Sequence, residues 1–448
     1  MNKLTRRGFV GASLAGTALP TTVWTQRSNP VPEDYRPVTL RPEIRKVVDD
    51  CRHLALEELK PTRSQLERGF ELHYSSYVAD VCGCLYVADP LFIWKGDRLN
   101  GELASYRNKL ERDGLDPEDV QQRVVNRWRD MKAFESAFDP QWREDYRSLY
   151  RLAGIDLAVE DVGHFSEPSF RAGLQHTARA GFVYDKIKAD AVRVSGVDDL
   201  DAARQDEKVA ILLHLHGANW FAMTPDPIQT LDLFFALGVR ASQLTYHEQN
   251  SLASSDDFDG ERDRGLSSLG KRVVRRMNEL GIMVNLAHCG HRSGLDAIEA
   301  SSEPVINAHT GCRAIYDHYK NEDDDYLRTL ARKGGVAGMY AGYLSPDPDS
   351  GFSFNAWLPH LEHAVKVAGI DHVAIPSDLT FMPDYPPRPM SWSNWPYYTV
   401  GLVCRGFSDA EIRKLIGGNF LRLAKQVLDK RPWGPFIARG EGYNWVAR

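Results

Sequence analysis

Four apolar runs in this 448-residue sequence finish on residues that bind metal ions. Residues 213–217 carry His214 and His216, 284–288 end on His288, 305–309 end on His309, and 374–378 end on Asp378. Imidazole and carboxylate donors suit zinc and other borderline divalent ions, with one coordination position left for water. A lone histidine at the end of an apolar run is ordinarily a hydrogen-bonded structural residue. Four runs that repeat the feature, the last with an aspartate, make a metal centre the stronger reading. Cys82 and Cys84 stand two apart, so on a strand both thiols share one face. Thiolates are good zinc ligands, and a soft pair also suits copper. Two other readings of the pair stay open: small buried core residues, or a disulfide from one of them to Cys289 or Cys312.

These side chains must be positioned by something, and from about residue 208 the sequence supplies a regular rhythm. Apolar runs at 209–215, 241–246, 282–287, 304–308, 335–340 and 372–376 alternate with amphipathic stretches at 230–237, 266–280, 326–333 and 357–367. Sustained strand–helix alternation predicts parallel strands with helical crossovers, and near-continuous apolar strands predict burial on both faces. With 77–87 as the first strand, a closed eight-stranded α/β barrel of the TIM-like (β/α)8 type fits better than two open sheets. In such a barrel the C-terminal strand ends share one mouth, which gathers histidines that the sequence scatters. His288 and His309 are 21 residues apart, one strand–helix–strand step, and so belong on adjacent strands. By simple alternation His214 and His216 face the same way. The predicted organisation is a leader at 1–26, a proline-rich linker at 27–37, a barrel at 38–430 with a helical insertion at about 98–150, and a tail at 431–448. Ser408 and Glu411 form a capping box that opens a helix, and 417–428 read as the last helix, packing back on the barrel.

Composition narrows the function classes. Hydrophobic residues are 43% and charged residues 26%, with 10 Trp, 18 Tyr and 18 Phe, enough to bury a sizeable core. A net charge of −6 gives no basic excess for a phosphate backbone, so nucleic acid is not an expected partner. Six cysteines are too few for a disulfide scaffold. No run reaches the roughly 18 apolar residues of a membrane span. Thr5-Arg6-Arg7-Gly8-Phe9-Val10, followed by small and apolar residues and by no acid before Glu33, reads as a twin-arginine export signal. That places the mature protein in the periplasm and favours a chain folded around a cofactor.

The stretch Gly238-Val-Arg-Ala-Ser-Gln-Leu-Thr-Tyr246, the block from Gly265 to His288, Pro304-Val-Ile-Asn-Ala-His309 and Gly369-Ile-Asp-His-Val-Ala-Ile-Pro-Ser-Asp378 carry a resemblance. Asn321, Gly334-Gly335-Val336, Gly406-Phe-Ser408 and Gly417-Gly-Asn-Phe-Leu-Arg422 continue it. The sequence resembles the membrane (renal) dipeptidases, peptidase family M19, over roughly 205–430, more weakly over 75–95 and little over 98–200. The resemblance implies an amidohydrolase-type barrel in which two zinc ions activate a bridging hydroxide. His288, His309 and Asp378 match the family pattern. Elsewhere the sequence departs from it. The family's His-x-Asp on the first strand is Cys82-x-Cys84, its bridging Glu is His216, its Leu-Thr-His is Leu244-Thr245-Tyr246 with His247 next door, and its Arg before Asn is Lys320 before Asn321.

A neutral imidazole at 216 does not offset the charge of two cations as a bridging carboxylate does. A mononuclear site of one or both cysteines with His216, His288 and His309 is the sensible alternative to a dinuclear one. The candidate metal ligands are therefore His288, His309, His216, Cys82 and Cys84, holding one or two zinc ions or another divalent metal. Asp378 is the candidate for proton transfer from bound water to a leaving nitrogen, with a plain metal ligand as the competing reading. Tyr246 is the candidate donor to a developing oxyanion and to substrate, and Lys320 the candidate partner for a substrate carboxylate; a structural tyrosine and a solvated lysine compete. The proline-rich stretch 382–398 is either a substrate wall or a structural loop.

Three functions follow. The leading one is a metal-dependent hydrolase that cleaves a dipeptide or other small amide. The others are a periplasmic metal- or ligand-binding barrel and an amidohydrolase repurposed for another bond after losing dipeptidase activity. The expected partner is a small molecule or dipeptide, and a homodimer is compatible with the sequence.

Overall fold

The computed structural model describes residues 30–83, 103–117, 120, 123–124, 138–162, 169–256, 262–340, 342, 352–378 and 387–430. The predicted leader, Cys84 and the tail at 431–448 lie outside the described residues. Among the described residues nine parallel strands form one sheet: β1 Ala79–Gly83, β2 Leu157–Val162, β3 Ala191–Arg193, β4 Val209–Leu215, β5 Val239–Gln243, β6 Met283–Asn285, β7 Ile306–Thr310, β8 Val336–Met339 and β9 Val373–Ala374. Eight of them follow one another in the order β1-β2-β4-β5-β6-β7-β8-β9, and β3 adds beside the first half of β4. The ends of that order meet. Val81 N donates to Ile375 O at 3.5 Å and Asp378 N to Cys82 O at 2.6 Å. Asp80 fastens the seam by accepting from Ser377 N at 2.8 Å and from the Ser377 hydroxyl. The result is a nearly closed eight-stranded α/β barrel of the TIM-like type.

Alternation along the strands sorts the side chains. Ala79, Val81, Leu157, Val159, Ala210, Leu212, Ala241, Met283, Val336 and Ala374 fill the barrel, whereas Ile211, Leu213, Val284, Ala337 and Val373 face the helices. Helix Asn419–Leu428 plugs the N-terminal end with Phe420, Leu423 and Val427. It starts beside Gly417, where a Cβ would stand 2.2 Å from Tyr77 O, so glycine permits this close approach. Helix starts follow the sequence signals. Ser267 caps Ser268–Leu280 by accepting from Gly270 N, Asp323 caps Asp324–Arg332, and Ser408 with Glu411 forms the expected capping box.

Two strands were not visible as apolar runs. β3 has three residues, and β2 reads Leu-Ala-Val-Glu-Asp-Val with two adjacent acids. Both acids are buried. Glu160 faces away from Asp161, and burial pushes its carboxyl well above the usual range. The region expected to be a helical insertion contains helices Ala104–Arg112 and Pro140–Ala153, and the second leads directly into β2.

Candidate metal centre

β4 presents Ala210, Leu212 and His214 to the interior in turn, and His216 continues the series just past its end. Gly217 then turns the chain at φ 101°, where a Cβ would lie 2.9 Å from the Tyr246 side chain. On β2 the same alternation brings Asp161 inward after Leu157 and Val159. Its two oxygens take one imidazole each: His214 Nδ1 donates to Oδ1, and His216 Nδ1 donates to Oδ2 at 2.7 Å. Burial opposes ionisation of Asp161, but the two imidazoles prevail and hold its carboxyl well below the usual range.

β6 and β7 supply the second half. His288 sits at φ 62°, and His247 and Asp378 also have positive φ, at 52° and 46°. Three strained residues at one barrel mouth are the pattern expected where geometry is held for function. His288 Nδ1 donates to Asp256 Oδ2 at 2.8 Å, so its Nε2 carries a lone pair. That lone pair meets His309 Nε2 at 2.9 Å. Two facing imidazole nitrogens at this distance share either a proton or a cation. A register irregularity in β7 between Asn307 and Thr310 turns His309 inward. Burial, joined by the positive Lys320 near His288 and by His288 near His309, keeps both rings well below the usual histidine range. They are neutral donors at pH 7.

The other ring nitrogen of His309, Nδ1, lies 3.4 Å from Cys82 Sγ. The thiol is also 3.7 Å from Asp161 Oδ2 and 3.7 Å from Asp378 Oδ1. Donor atoms thus gather in three groups that span no more than 4.8 Å each: Cys82 with His309 and Asp378, Asp161 with His214 and His216, and His247 with Asp256 and His288. Tyr246 packs edge-on to His216, ring centroids 4.2 Å apart, and lies 4.7 Å from His288. Lys320 has a buried side chain whose Nζ is 3.6 Å from Asp256 Oδ2. It is not a solvated surface lysine. A small pocket opens beside His288 and His309, walled by Asp256, Tyr319, Lys320 and Glu322. Glu322, raised by burial, accepts from His291 Nδ1 at 2.8 Å.

The structure therefore brings His216, His288, His309, Cys82, Asp378, Tyr246 and Lys320 to one end of the barrel; Cys84 lies outside the described residues. The disulfide alternative does not occur among the described residues, where Cys82, Cys289 and Cys312 carry thiols. Trp392 and Trp395 of the proline-rich stretch are fully buried in the core and are packing residues rather than a substrate wall. Residues 382–386 of that stretch lie outside the described residues. Asp161 and Asp256 of this site had no role assigned from sequence. Asp161 becomes legible only once β2 is recognised as a strand. Asp256 sits in the polar run Ser254-Ser-Asp-Asp, which carries no local signal.

Residues 147–431 match the family model of the membrane dipeptidases, peptidase family M19. An uncharacterized dipeptidase of Schizosaccharomyces pombe is 32% identical over 247 residues, 54% of this chain and 59% of that protein. The dipeptidase verJ of Clonostachys rogersoniana is 30% identical over 49% of this chain and 56% of its own length. The chain thus spans between half and three-fifths of these relatives. Among solved structures, the probable dipeptidase PvdM from Pseudomonas aeruginosa aligns over 82% of this chain and 100% of its own, with TM-score 0.60 and 20% identity. An amidohydrolase from Pseudomonas aeruginosa aligns over 81% and 99%, with TM-score 0.59 and 21% identity. A metallopeptidase from Rhodobacter sphaeroides, bound to a phosphinate mimic of L-Ala-D-Ala, aligns over 62% and 89%, with TM-score 0.54 and 18% identity. These likenesses agree on the barrel. With the family model covering well over half of the sequence, the chain belongs to the membrane dipeptidase family, peptidase family M19.

Proposed function

We propose that this chain is a metal-dependent hydrolase of dipeptides or other small amides. The observation that carries the reading is the meeting of His288 Nε2 and His309 Nε2 at 2.9 Å, with both rings buried and neutral and with Asp256 orienting the first. Such a donor set fits a borderline divalent cation, and zinc is the natural occupant. His288 and His309 would hold it, with His216 beside them. A bound cation would supply Lewis-acid polarisation of a carbonyl and acidify a water near neutral pH.

The remaining work falls to the chain. Asp378, half-buried at the mouth, takes a proton at its carboxylate and returns it to the leaving nitrogen. Tyr246, packed against His216 and His288, would donate its hydroxyl to the oxygen on which charge develops. Lys320 attracts the carboxylate of a dipeptide from the wall of the pocket beside His288 and His309. The twin-arginine reading of Arg6 and Arg7 places this activity in the periplasm. Changing both to Lys should leave the protein in the cytoplasm, and undiminished periplasmic delivery would overturn that part.

The direct test purifies the protein without added metal, measures metal per chain, and assays hydrolysis of a dipeptide panel before and after chelation. Bound metal with chelator-sensitive hydrolysis is the expected result. A chain that binds no divalent metal and hydrolyses nothing in the panel would leave a binding barrel.

A further inference from the structure

Asn285 lies on β6 and faces the interior, 1% exposed. Its Oδ1 accepts two backbone N–H groups, from Ala287 at 3.0 Å and from Ala308 at 3.1 Å. Those two donors fix the orientation of the amide, so the group turned toward His214 is the NH2. Asn285 Nδ2 donates to His214 Nε2 at 3.0 Å. His214 Nε2 must then be the acceptor, and its proton sits on Nδ1, which donates to Asp161 Oδ1. Asp161 Oδ2 accepts from His216 Nδ1 at 2.7 Å. As far as Asp161 each assignment forces the next, and a carboxylate that only accepts then takes the proton of His216 Nδ1. The chain of bonds starts at the backbone of β6 and β7 and ends with His216 as the Nδ1–H tautomer, its Nε2 carrying the lone pair.

This order also separates the two histidines of β4. His214 is fully buried, with both nitrogens engaged by Asn285 and Asp161, and it has no lone pair left for an ion. His216 has its Nδ1 engaged and its ring centroid 6.0 Å from that of His288. Asp161 stands to His216 as Asp256 stands to His288, a carboxylate behind an imidazole. Such partners set the tautomer of a ligand and raise its basicity.

We propose that Asp161 is a positioning residue of the metal centre: relayed through His214 and Asn285, it fixes His216 in the tautomer that presents Nε2 as a third imidazole donor, and it places in the centre a negative charge that His216 itself does not carry. His214 is part of the relay and not a ligand. The centre is thereby built for one ion on the His288–His309–His216 side, with the opposite flank closed by the protein's own hydrogen bonds. This rests on the metal-dependent reading above.

Two measurements test it. In the wild-type protein labelled with 15N-histidine, the ring spectra should show His214 and His216 as Nδ1–H tautomers in the chelated state, where no ion contributes; an Nε2–H tautomer at either position overturns the relay. Second, zinc and cobalt titrations compare wild type with Asp161→Asn, which keeps the shape of the side chain. The variant should lose about 10–100-fold in affinity, with the metal-free melting temperature close to that of wild type and stoichiometry in the wild type near one. Equal affinity in a folded Asp161→Asn, or two tight ions per wild-type chain, overturns the proposal. If the variant fails to fold, the tautomer measurement on wild type decides. A wild type that binds no ion at all defeats the functional reading instead, and the tautomers are still read.

Discussion

His288, in the turn just past β6, and His309, on the neighbouring β7, meet through Nε2 atoms 2.9 Å apart. The approach is set from behind. Asp256 takes the Nδ1–H of His288, and the irregularity in β7 turns His309 toward it. Replacing either ring by Ala should therefore cost bound metal by more than about 100-fold in affinity, because an ion with three or four ligands loses a large share of its binding with one. Titration of the metal-free protein with zinc checks this. Retention of tight binding in His309→Ala would move the centre elsewhere in the mouth.

Cys82 tests which side of His309 the ion occupies. Its Sγ lies beside Nδ1, whereas His288 lies beside Nε2, and the two nitrogens of one ring point in different directions. An ion held between His288 and His309 leaves the thiol behind the ring. Cys82→Ser should then keep metal content and leave the cobalt-substituted protein without a thiolate charge-transfer band in either form. A band present in wild type and lost in the variant would instead put the ion among Cys82, Asp378 and His309.

The strand–helix rhythm made most of the barrel legible, because β4 and the strands after it are close to continuous apolar runs. The candidate ligands at their ends were legible for the same reason: a polar residue after an apolar run stands out. β2 was not, since Glu160 and Asp161 interrupt it, and what makes two adjacent acids tolerable inside a sheet is tertiary: raised protonation for one, two imidazole donors for the other. Asp161 was lost with its strand. Asp256 belongs to an irregular polar segment, and its role exists only because the fold carries His288 and Lys320 to it. Lys320 was found by its place in a motif, but its burial and its partner were not readable from sequence.

His73 gives the protein a titration far from the mouth. Fully buried in helix Arg63–Ser75, it donates from Nε2 to Ala153 O at 2.8 Å and accepts at Nδ1 from the Thr399 hydroxyl at 2.9 Å. Burial pushes its pKa down to about 3, against an ordinary value of 6.5. The depressed value means that the unfolded chain binds a proton the folded one refuses. Stability from this group is present above pH 6.5 and is lost as pH falls toward 3. Between pH 7 and pH 5 the loss amounts to about 2 kcal/mol. His73→Gln keeps a donor and an acceptor but does not titrate, so its denaturation midpoint should fall less over that interval. Parallel pH dependences for the two proteins would refute the assignment.

Lys320 offers the sharpest test of what the pocket recognises. Its Nζ is 3.6 Å from Asp256 Oδ2, and Asp256 in turn holds His288, so the ammonium is anchored next to the centre instead of ranging over the surface. A substrate carboxylate entering the pocket would share that ammonium with Asp256. As a point charge without the planar fork of Arg, Lys320 holds the carboxylate through attraction rather than through paired hydrogen bonds. Losing a charged hydrogen bond of this kind costs about 1.5–3 kcal/mol. Lys320→Met should therefore raise KM for a dipeptide by at least about tenfold while changing kcat little. The same variant acting on the C-terminal amide of that dipeptide should show no such rise, because the amide brings no charge for Lys320 to meet. Removing the ammonium also takes a cation from beside Asp256, which holds His288, so metal content has to be measured alongside. If metal is unchanged and dipeptide and amide lose equally, Lys320 supports Asp256 and does not read the substrate.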